Sequence, residues 1–327
     1  MSDRSDAIAT FTMRAAEWAG MKLPRRAGMT AARAALRTLH RRSPGQRATV
    51  AANLARVLGH PADSAIVEMA TREAFELYGR YWYETFALRT MPSDEVLWRH
   101  TVSGVEHIEA GVAGGRGVVM ALPHMGNWDA AGHWLAVTGR RMTAVAEELR
   151  PPAVYELFYR HRRALGMDIV PLSEGRRVGE LLIAVLADNR ILTLLADRNL
   201  SGRGVDVEMF GATRKMPSGP AMLSLVTGAP LLPCVVYTTA DGWHTHIDPP
   251  VEFDRADDLR SNVTTLTRIL AGHFERYISA APADWHMFQP AWPEGAGAEA
   301  GSNAGDAASR TGPPAPSAPA STGAAVP

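Results

Sequence analysis

Among the eleven histidines of this sequence, only His124 is followed five residues later by an aspartate, Asp129. An imidazole held by a carboxylate is a general base. The carboxylate fixes the tautomer at one ring nitrogen and stabilises the imidazolium while the other nitrogen takes a proton. The surrounding block, Gly117-Val-Val-Met-Ala-Leu-Pro-His124-Met-Gly-Asn-Trp-Asp129, supplies the placement. Its apolar run reads as a buried strand ending at Pro123, and Asn127 is a favourable N-cap for a helix that follows. His124 then falls at the carboxyl end of a strand, where open α/β sheets hold their ligands. Asp129 falls in the first helical turn, from which it is expected to turn back and accept a bond from the imidazole. The helix N-terminus offers N–H groups to a developing oxyanion. A core histidine with satisfied partners is the competing interpretation. The strand–loop–helix context, not the spacing, favours the base.

Other reactive side chains carry less. Cys234, in Leu231-Leu-Pro-Cys-Val-Val-Tyr, reads as a buried thiol in a strand. No Gly-x-Ser-x-Gly elbow is present, which counts against a serine esterase. His244 and His246 share one face of a strand but lack a nearby third ligand, so no metal is expected. Gly111-Val-Ala-Gly-Gly-Arg-Gly is a turn before a strand, not a phosphate cradle opening a helix. Glu147 and Glu148 follow the second candidate strand; they either start a surface helix or reach a hydroxyl-rich acceptor. Arg162 and Arg163 are either solvated or available as bidentate grips on an anionic headgroup or a coenzyme A phosphate. Arg198, Arg203, Arg214 and Lys215 extend this basic character. Tyr78, Tyr81, Trp82 and Phe86 form a helical aromatic stripe, the pattern of a core more often than of an acyl-chain pocket.

The elements that must position these residues fall into two patterns. Ser43-Pro44-Gly45-Gln46 reads as a capping box opening a helix that Gly59 closes, and a longer helix covers about 62–89, with Ile66, Ala70, Ala74, Leu77 and Tyr81 on one face. The first hundred residues therefore read as helical. From residue 117, candidate strands at Val118–Ala121, Met142–Ala146, Asp168–Pro171, Ile191–Ala196, Val205–Phe210, Leu231–Tyr237 and His244–Ile247 alternate with candidate helices at 128–138, 152–165, 176–188, 217–227 and about 260–280. Apolar strands between amphipathic helices imply a mixed α/β sheet, mostly buried and covered on both faces. We divide the chain into a helical region 1–100, an α/β core 101–293 and a tail 294–327. In Gly295–Pro327, Ala, Gly, Pro and Ser make up 26 of 33 residues, so the tail is expected to be disordered.

Composition excludes several classes. With 46% hydrophobic and 21% charged residues in 327, and a net charge of +0, most of the chain folds and a general nucleic-acid binder is not expected. A single cysteine excludes a disulfide framework. No secretory signal is visible, and the longest apolar runs fall far short of the ~18 residues of a membrane span. Residues 1–50 nevertheless carry ten Lys or Arg against three acids, beside a helical stripe of Ile8, Phe11, Ala15 and Trp18. This pattern suits a helix lying on an anionic membrane, and equally one packed on its own domain.

The His124 block resembles the catalytic motif of the glycerolipid acyltransferase superfamily, most closely its bacterial lipid A lauroyl-type branch and, within it, the inositol mannoside acyltransferases. The similarity runs from about Arg47 to Trp292. Phe158-Tyr-Arg-His-Arg162-Arg-Ala-Leu-Gly-Met resembles the arginine-bearing helix of that family. Leu195-Ala-Asp197-Arg198 occupies the place of an acidic residue beside the histidine, often glutamate in this branch. Val205-Asp-Val-Glu-Met-Phe-Gly leading into Met216-Pro-Ser-Gly-Pro-Ala is similar as well. Ala283-Asp-Trp-His286-Met-Phe-Gln-Pro-Ala-Trp292 points to the inositol mannoside branch. Pro123 and Met125 flank the histidine where glycerol-phosphate acyltransferases have Asn-His-x-Ser.

The resemblance implies transfer of a long-chain acyl group, expected to be palmitoyl, from acyl-CoA to a mannose hydroxyl of a phosphatidylinositol mannoside. His124 would take the proton, Asp129 orient it and Asp197 help to hold the cleft. Arg162, Arg203, Arg198, Glu147 and His286 would bind substrate. Acyl-CoA is a co-substrate, and no cofactor or metal is expected. The partners are acyl-CoA, the glycolipid and an anionic membrane surface, with the protein peripheral on the cytoplasmic face. Lipid A or another glycolipid as acceptor remains an alternative, as does a non-enzymatic lipid-binding protein using the basic N-terminal helix.

Overall fold

The computed structural model describes residues 2–172, 177–199, 202–256 and 258–293. The tail expected to be disordered lies outside them. Four helices come first: α1 (Ser2–Lys22), α2 (Arg25–Arg42), α3 (Pro44–Leu58) and α4 (Ala65–Ala87). Gly59, in the left-handed region at φ +66°, ends α3 as expected, and the side chain of Ser64 caps α4 by accepting from the Val67 N–H. Ser43 makes no side-chain cap bond, so the expected capping box is absent and Pro44 alone marks that start. The buried face of α4 runs through Val67, Thr71, Ala74 and Phe75; Ile66, expected on it, is exposed.

α1, α2 and α3 all pack on α4. Its far end is fastened to the sheet by a buried ion pair. Arg80 Nε donates to Glu84 (2.8 Å) and the rest of its guanidinium to the Thr239 and Gly242 carbonyls, while Trp243 Nε1 donates to Glu84 Oε2 (3.0 Å). These bonds fix which side of α4 faces the sheet.

After α5 (Ser93–Arg99), the chain enters a seven-stranded sheet of order β1-β9-β8-β2-β5-β3-β4. The strands are β1 (His100–Ser103), β2 (Val118–Leu122), β3 (Met142–Ala146), β4 (Asp168–Pro171), β5 (Ile191–Leu195), β8 (Leu231–Thr238) and β9 (Trp243–Ile247). All neighbours are parallel except the β8–β9 hairpin. The connections carry α6 (Val105–Ala113), α7 (Trp128–Val137), α8 (Pro152–Ala164), α9 (Arg177–Ala187) and α10 (Gly219–Thr227), and α11 (Leu259–Ala280) follows β9. A separate antiparallel hairpin, β6 (Val205–Met209) and β7 (Ala212–Met216), packs against α11.

The fully buried β2 divides two cores. Val119 and Ala121 face α9, α10 and α11, whereas Val118, Met120 and Leu122 face α6 and α7. Each large aliphatic side chain so buried contributes about 1.5–3 kcal/mol, which pins the central strand from both sides. The expected strands are present to within a residue or so. Two were missed. β1 is a four-residue polar edge strand, and Ala-Thr-Arg-Lys-Met in β7 hides its alternation behind a buried Arg214. Among the described residues no helix is long and apolar enough to cross a membrane.

Candidate active site

The register of the central strands creates the site. Leu122, the last residue of β2, is paired with Leu195, the last residue of β5. The Ala196 N–H still donates to the Leu122 carbonyl at 2.9 Å, so the two chains leave the sheet side by side. His124 and Asp197 each lie two residues beyond that pair. His124 Nδ1 meets Asp197 Oδ1 at 2.5 Å. With Nδ1 engaged, Nε2 is the ring nitrogen left to meet a substrate proton.

Asp197 is wholly buried, and each of its carboxylate oxygens has a partner. The second oxygen accepts from Trp285 Nε1 at 2.8 Å. Burial would raise its pKa, but the charge and hydrogen bond of His124, helped by the Trp285 N–H, hold the carboxyl well below the usual range. Asp197 is therefore ionised at any working pH. Arg214 donates to its backbone carbonyl and stacks over Trp292, 5.3 Å from the ring centroid.

Asp129 does not hold His124, contrary to expectation. Gly126, at φ +56°, turns the chain between them so tightly that a Cβ there would overlap the Val236 carbonyl. His124 thereby faces β5, while Asp129 sits in the first turn of α7, whose N-cap is Asn127 accepting from the Ala130 N–H at 3.0 Å. From there the carboxylate reaches α8 and α4. Arg162 Nε donates to Oδ1 at 2.6 Å and Nη2 to Oδ2 at 3.3 Å, and the Tyr81 hydroxyl donates to Oδ2 at 3.2 Å. Burial pushes the Asp129 carboxyl up, yet the Arg162 charge and hydrogen bond outweigh it and leave it lowered. Burial, helped by the Asp129 charge, raises the Tyr81 phenol well above its ordinary value.

Beside His124 opens a cleft of ≈ 270 Å³. Tyr81 stacks at a tilt on Trp128 (ring centroids 4.4 Å apart), and Trp128 meets the His124 ring edge-on at 5.3 Å. Trp82, Phe158, Leu149, Leu172 and Leu195 give the cleft an apolar side. Three of the four residues of the aromatic stripe, Tyr78, Tyr81 and Trp82, line this cleft, Tyr81 while itself buried, and Phe86 lies in the core behind it. Glu147, Arg162, Arg198 and His286 also line it. Arg162 is there as the partner of Asp129, and Glu147 is exposed in the loop after β3 rather than at a helix start. His286 is buried, donates from Nε2 to the Gly126 carbonyl at 3.0 Å, and is pushed by burial down to about 3, so it stays neutral. Arg203 is the exception: it is exposed just before β6 and does not line the cleft.

Sequence reasoning missed Trp285 and Trp128 as parts of the site. Trp128 had a signal, being next to Asp129 at a helix start. Trp285 stood only within a resembling motif. The arrangement suits deprotonation of a hydroxyl in a half-apolar cleft bearing two guanidinium groups. Among the described residues, no Ser, Thr or Cys lines it.

Residues 5–294 match the model of the bacterial lipid A biosynthesis acyltransferase family. The phosphatidylinositol mannoside acyltransferase of Mycobacterium tuberculosis (strain CDC 1551 / Oshkosh) is 42% identical over 243 residues, 73% of this chain and 75% of the relative. The protein of the same description from Mycolicibacterium smegmatis is 40% identical over 241 residues, 73% of this chain and 77% of the relative. With a family match that spans both cores, the cleft and the loop that bears His124, and relatives of this identity, the chain belongs to the bacterial lipid A biosynthesis acyltransferases.

Proposed function

We propose that this chain transfers a long-chain acyl group, palmitoyl, from acyl-CoA to a mannose hydroxyl of a phosphatidylinositol mannoside. The observation that carries the reading is the His124–Asp197 pair at the wall of a half-apolar cleft that no Ser, Thr or Cys lines among the described residues; the named relatives suggest the acceptor. His124 Nε2 takes the proton of the sugar hydroxyl as its oxygen attacks the thioester carbonyl. The tetrahedral intermediate collapses with cleavage of the C–S bond, and the imidazolium returns the proton to the departing CoA sulfur. Asp197 holds the imidazolium throughout. The apolar side of the cleft receives the acyl chain, and Arg162 and Arg198 receive phosphate oxygens.

The acceptor is a membrane lipid, and α1 suits meeting it on the cytoplasmic face. Met13 and Ala16 pack toward Phe86 and α8, so Ile8, Phe11 and Trp18 are left 66%, 74% and 59% exposed. Arg26, Arg33, Arg41 and Arg42 are exposed along α2. Each basic residue near an anionic surface contributes about 1 kcal/mol, and the stripe adds apolar burial.

The test is to mix the full chain with palmitoyl-CoA and purified phosphatidylinositol mannoside, and to follow free CoA and the acylated lipid by mass spectrometry. Release of CoA that requires the mannoside supports the reading. Equal turnover with a lipid A precursor would move the acceptor. No release with either lipid, with liposome binding retained, would leave a lipid-binding protein. For the membrane part, Phe11→Ser with Trp18→Ser should reduce co-sedimentation with anionic liposomes; unchanged sedimentation overturns it.

A further inference from the structure

The stretch after α11 crosses the site as a strap. A short 3-10 turn, Pro282–Asp284, leads into an antiparallel bridge between Trp285 and Met125, in the loop that carries His124. The His286 N–H donates to the His124 carbonyl at 2.8 Å, and the Gly126 N–H to the Asp284 carbonyl at 3.2 Å. Asp284 is anchored by the Thr238 N–H at 2.6 Å, at the end of β8. Further along, Asn53 of α3 gives its whole amide to the strap. Its Nδ2 donates to the Met287 and Gln289 carbonyls (3.0 and 2.8 Å), and its Oδ1 accepts from the Ala291 N–H (3.1 Å). Asn53 and Trp285 are 4% and 2% exposed, so these bonds are shielded from water.

The strap is thus tied to α3, to β8 and to the loop of the base, and it delivers one buried donor to the pair. That donor is Trp285 Nε1, on the Asp197 oxygen that His124 does not use.

We propose that Trp285 is a positioning residue of the acyl transfer: its indole N–H locks the Asp197 carboxylate in the one orientation that holds His124 ready as a base. A carboxylate bonded through one oxygen is free to rotate about its Cβ–Cγ bond. A second donor on the other oxygen stops that rotation, and a rigid indole packed in the strap adds no motion of its own. Trp285 itself is set back from the cleft and touches no reacting atom. The inference rests on the proposed acyl transfer only for its kinetic readout.

The experiment uses the full chain with Trp285→Phe, Asp197→Asn and both together. A second variant carries β-(3-benzothienyl)alanine at position 285, which keeps the shape of the indole and removes the N–H. The charge-assisted bond lost predicts a fall in kcat of about 10- to 100-fold with KM within about twofold. In the Asp197→Asn background the same change should cost less than about twofold, since Trp285 acts through that carboxylate. A residue that only packs would instead give additive losses in the two backgrounds, which overturns the proposal. A measurement without substrate separates this from the functional reading. In the chain labelled with nitrogen-15 histidine, the His124 Nδ1 proton is identified by its loss in His124→Gln. It should shift or broaden when either change is made at 285. An unchanged resonance, with a folded protein by near-ultraviolet circular dichroism, overturns the proposal even if no acyl transfer is found.

Discussion

Two buried carboxylates stand beside the same cleft and are spent differently. Asp197 is 73 residues from His124 in the chain and bonded to it; Asp129 is five residues away and not. The distant pair is brought together by parallel register, because β2 and β5 end at the same level and both chains continue in step. The near pair is separated by a left-handed glycine and a helix start that send the two side chains in different directions. Proximity in sequence therefore gave the wrong partner. The difference also assigns work. Asp197 has an imidazole and an indole on its two oxygens, the partners expected of a carboxylate in the proposed proton transfer, whereas Asp129 has a guanidinium and a phenol and holds Arg162 and Tyr81 at the cleft wall.

Substitutions can break this division of labour. The largest effect is expected for His124→Ala, which removes a general base that contributes roughly 10²–10⁴ in rate. His124 is only partly buried, so its thermal unfolding midpoint should stay near that of the parent, and normal turnover in the folded variant would sink the mechanism. Asp197→Asn should approach the same loss in kcat, since groups acting as a unit are far from additive. Asp129→Asn should separate from both. Its main marks are a raised KM and lower thermal stability, because a buried pair deprived of one partner costs about 3–5 kcal/mol, less here to the extent that Arg162 reaches water. If Asp129→Asn instead lowered kcat as deeply as Asp197→Asn at unchanged KM, the two carboxylates would form one catalytic unit.

Acid titration sharpens the comparison further. Both carboxyls are lowered in the folded state relative to the ordinary 3.8, so between the folded and unfolded values the unfolded chain binds more protons. Their stabilisation is complete above the ordinary carboxyl value and is lost as pH falls below it toward the folded values. Unfolding followed by circular dichroism should therefore show a steep loss below about pH 4, shallower in Asp129→Asn. The smallest effect is expected for Tyr81→Phe. Removing a 3.2 Å bond to Asp129 should cost about 1 kcal/mol in unfolding and change kcat by only a few-fold.

The local elements were legible because local chemistry makes them. The continuous apolar run of β2, the Asn127 cap, Gly59 at the end of α3 and the periodicity of α11 all express themselves over a few residues. That was enough to put His124 at a strand end and Arg162 on a helix. Other features had no local expression. Ser43 offered a cap sequence that the helix did not use, and β1 showed too few apolar residues to be seen before it paired with β9. The same limit applies to the stripes. Ile8, Phe11 and Trp18 have the periodicity of a buried face, yet it is Met13 and Ala16 that pack inward, a choice made by how α1 meets α8. Tyr78, Tyr81 and Trp82 line a cleft because the Arg80–Glu84 bonds fix the rotation of α4 against the sheet.

Sequence by itself thus determined the place of His124, the sheet that presents it and the cations nearby, since each follows from residue type and short-range spacing. Tertiary structure alone decided which carboxylate His124 meets, what Asp129 holds, and that a tryptophan 88 residues beyond Asp197 bonds its second oxygen. Those contacts depend on strand register and on a strap closing from the far end of the fold, and neither leaves a trace in any short window of the chain.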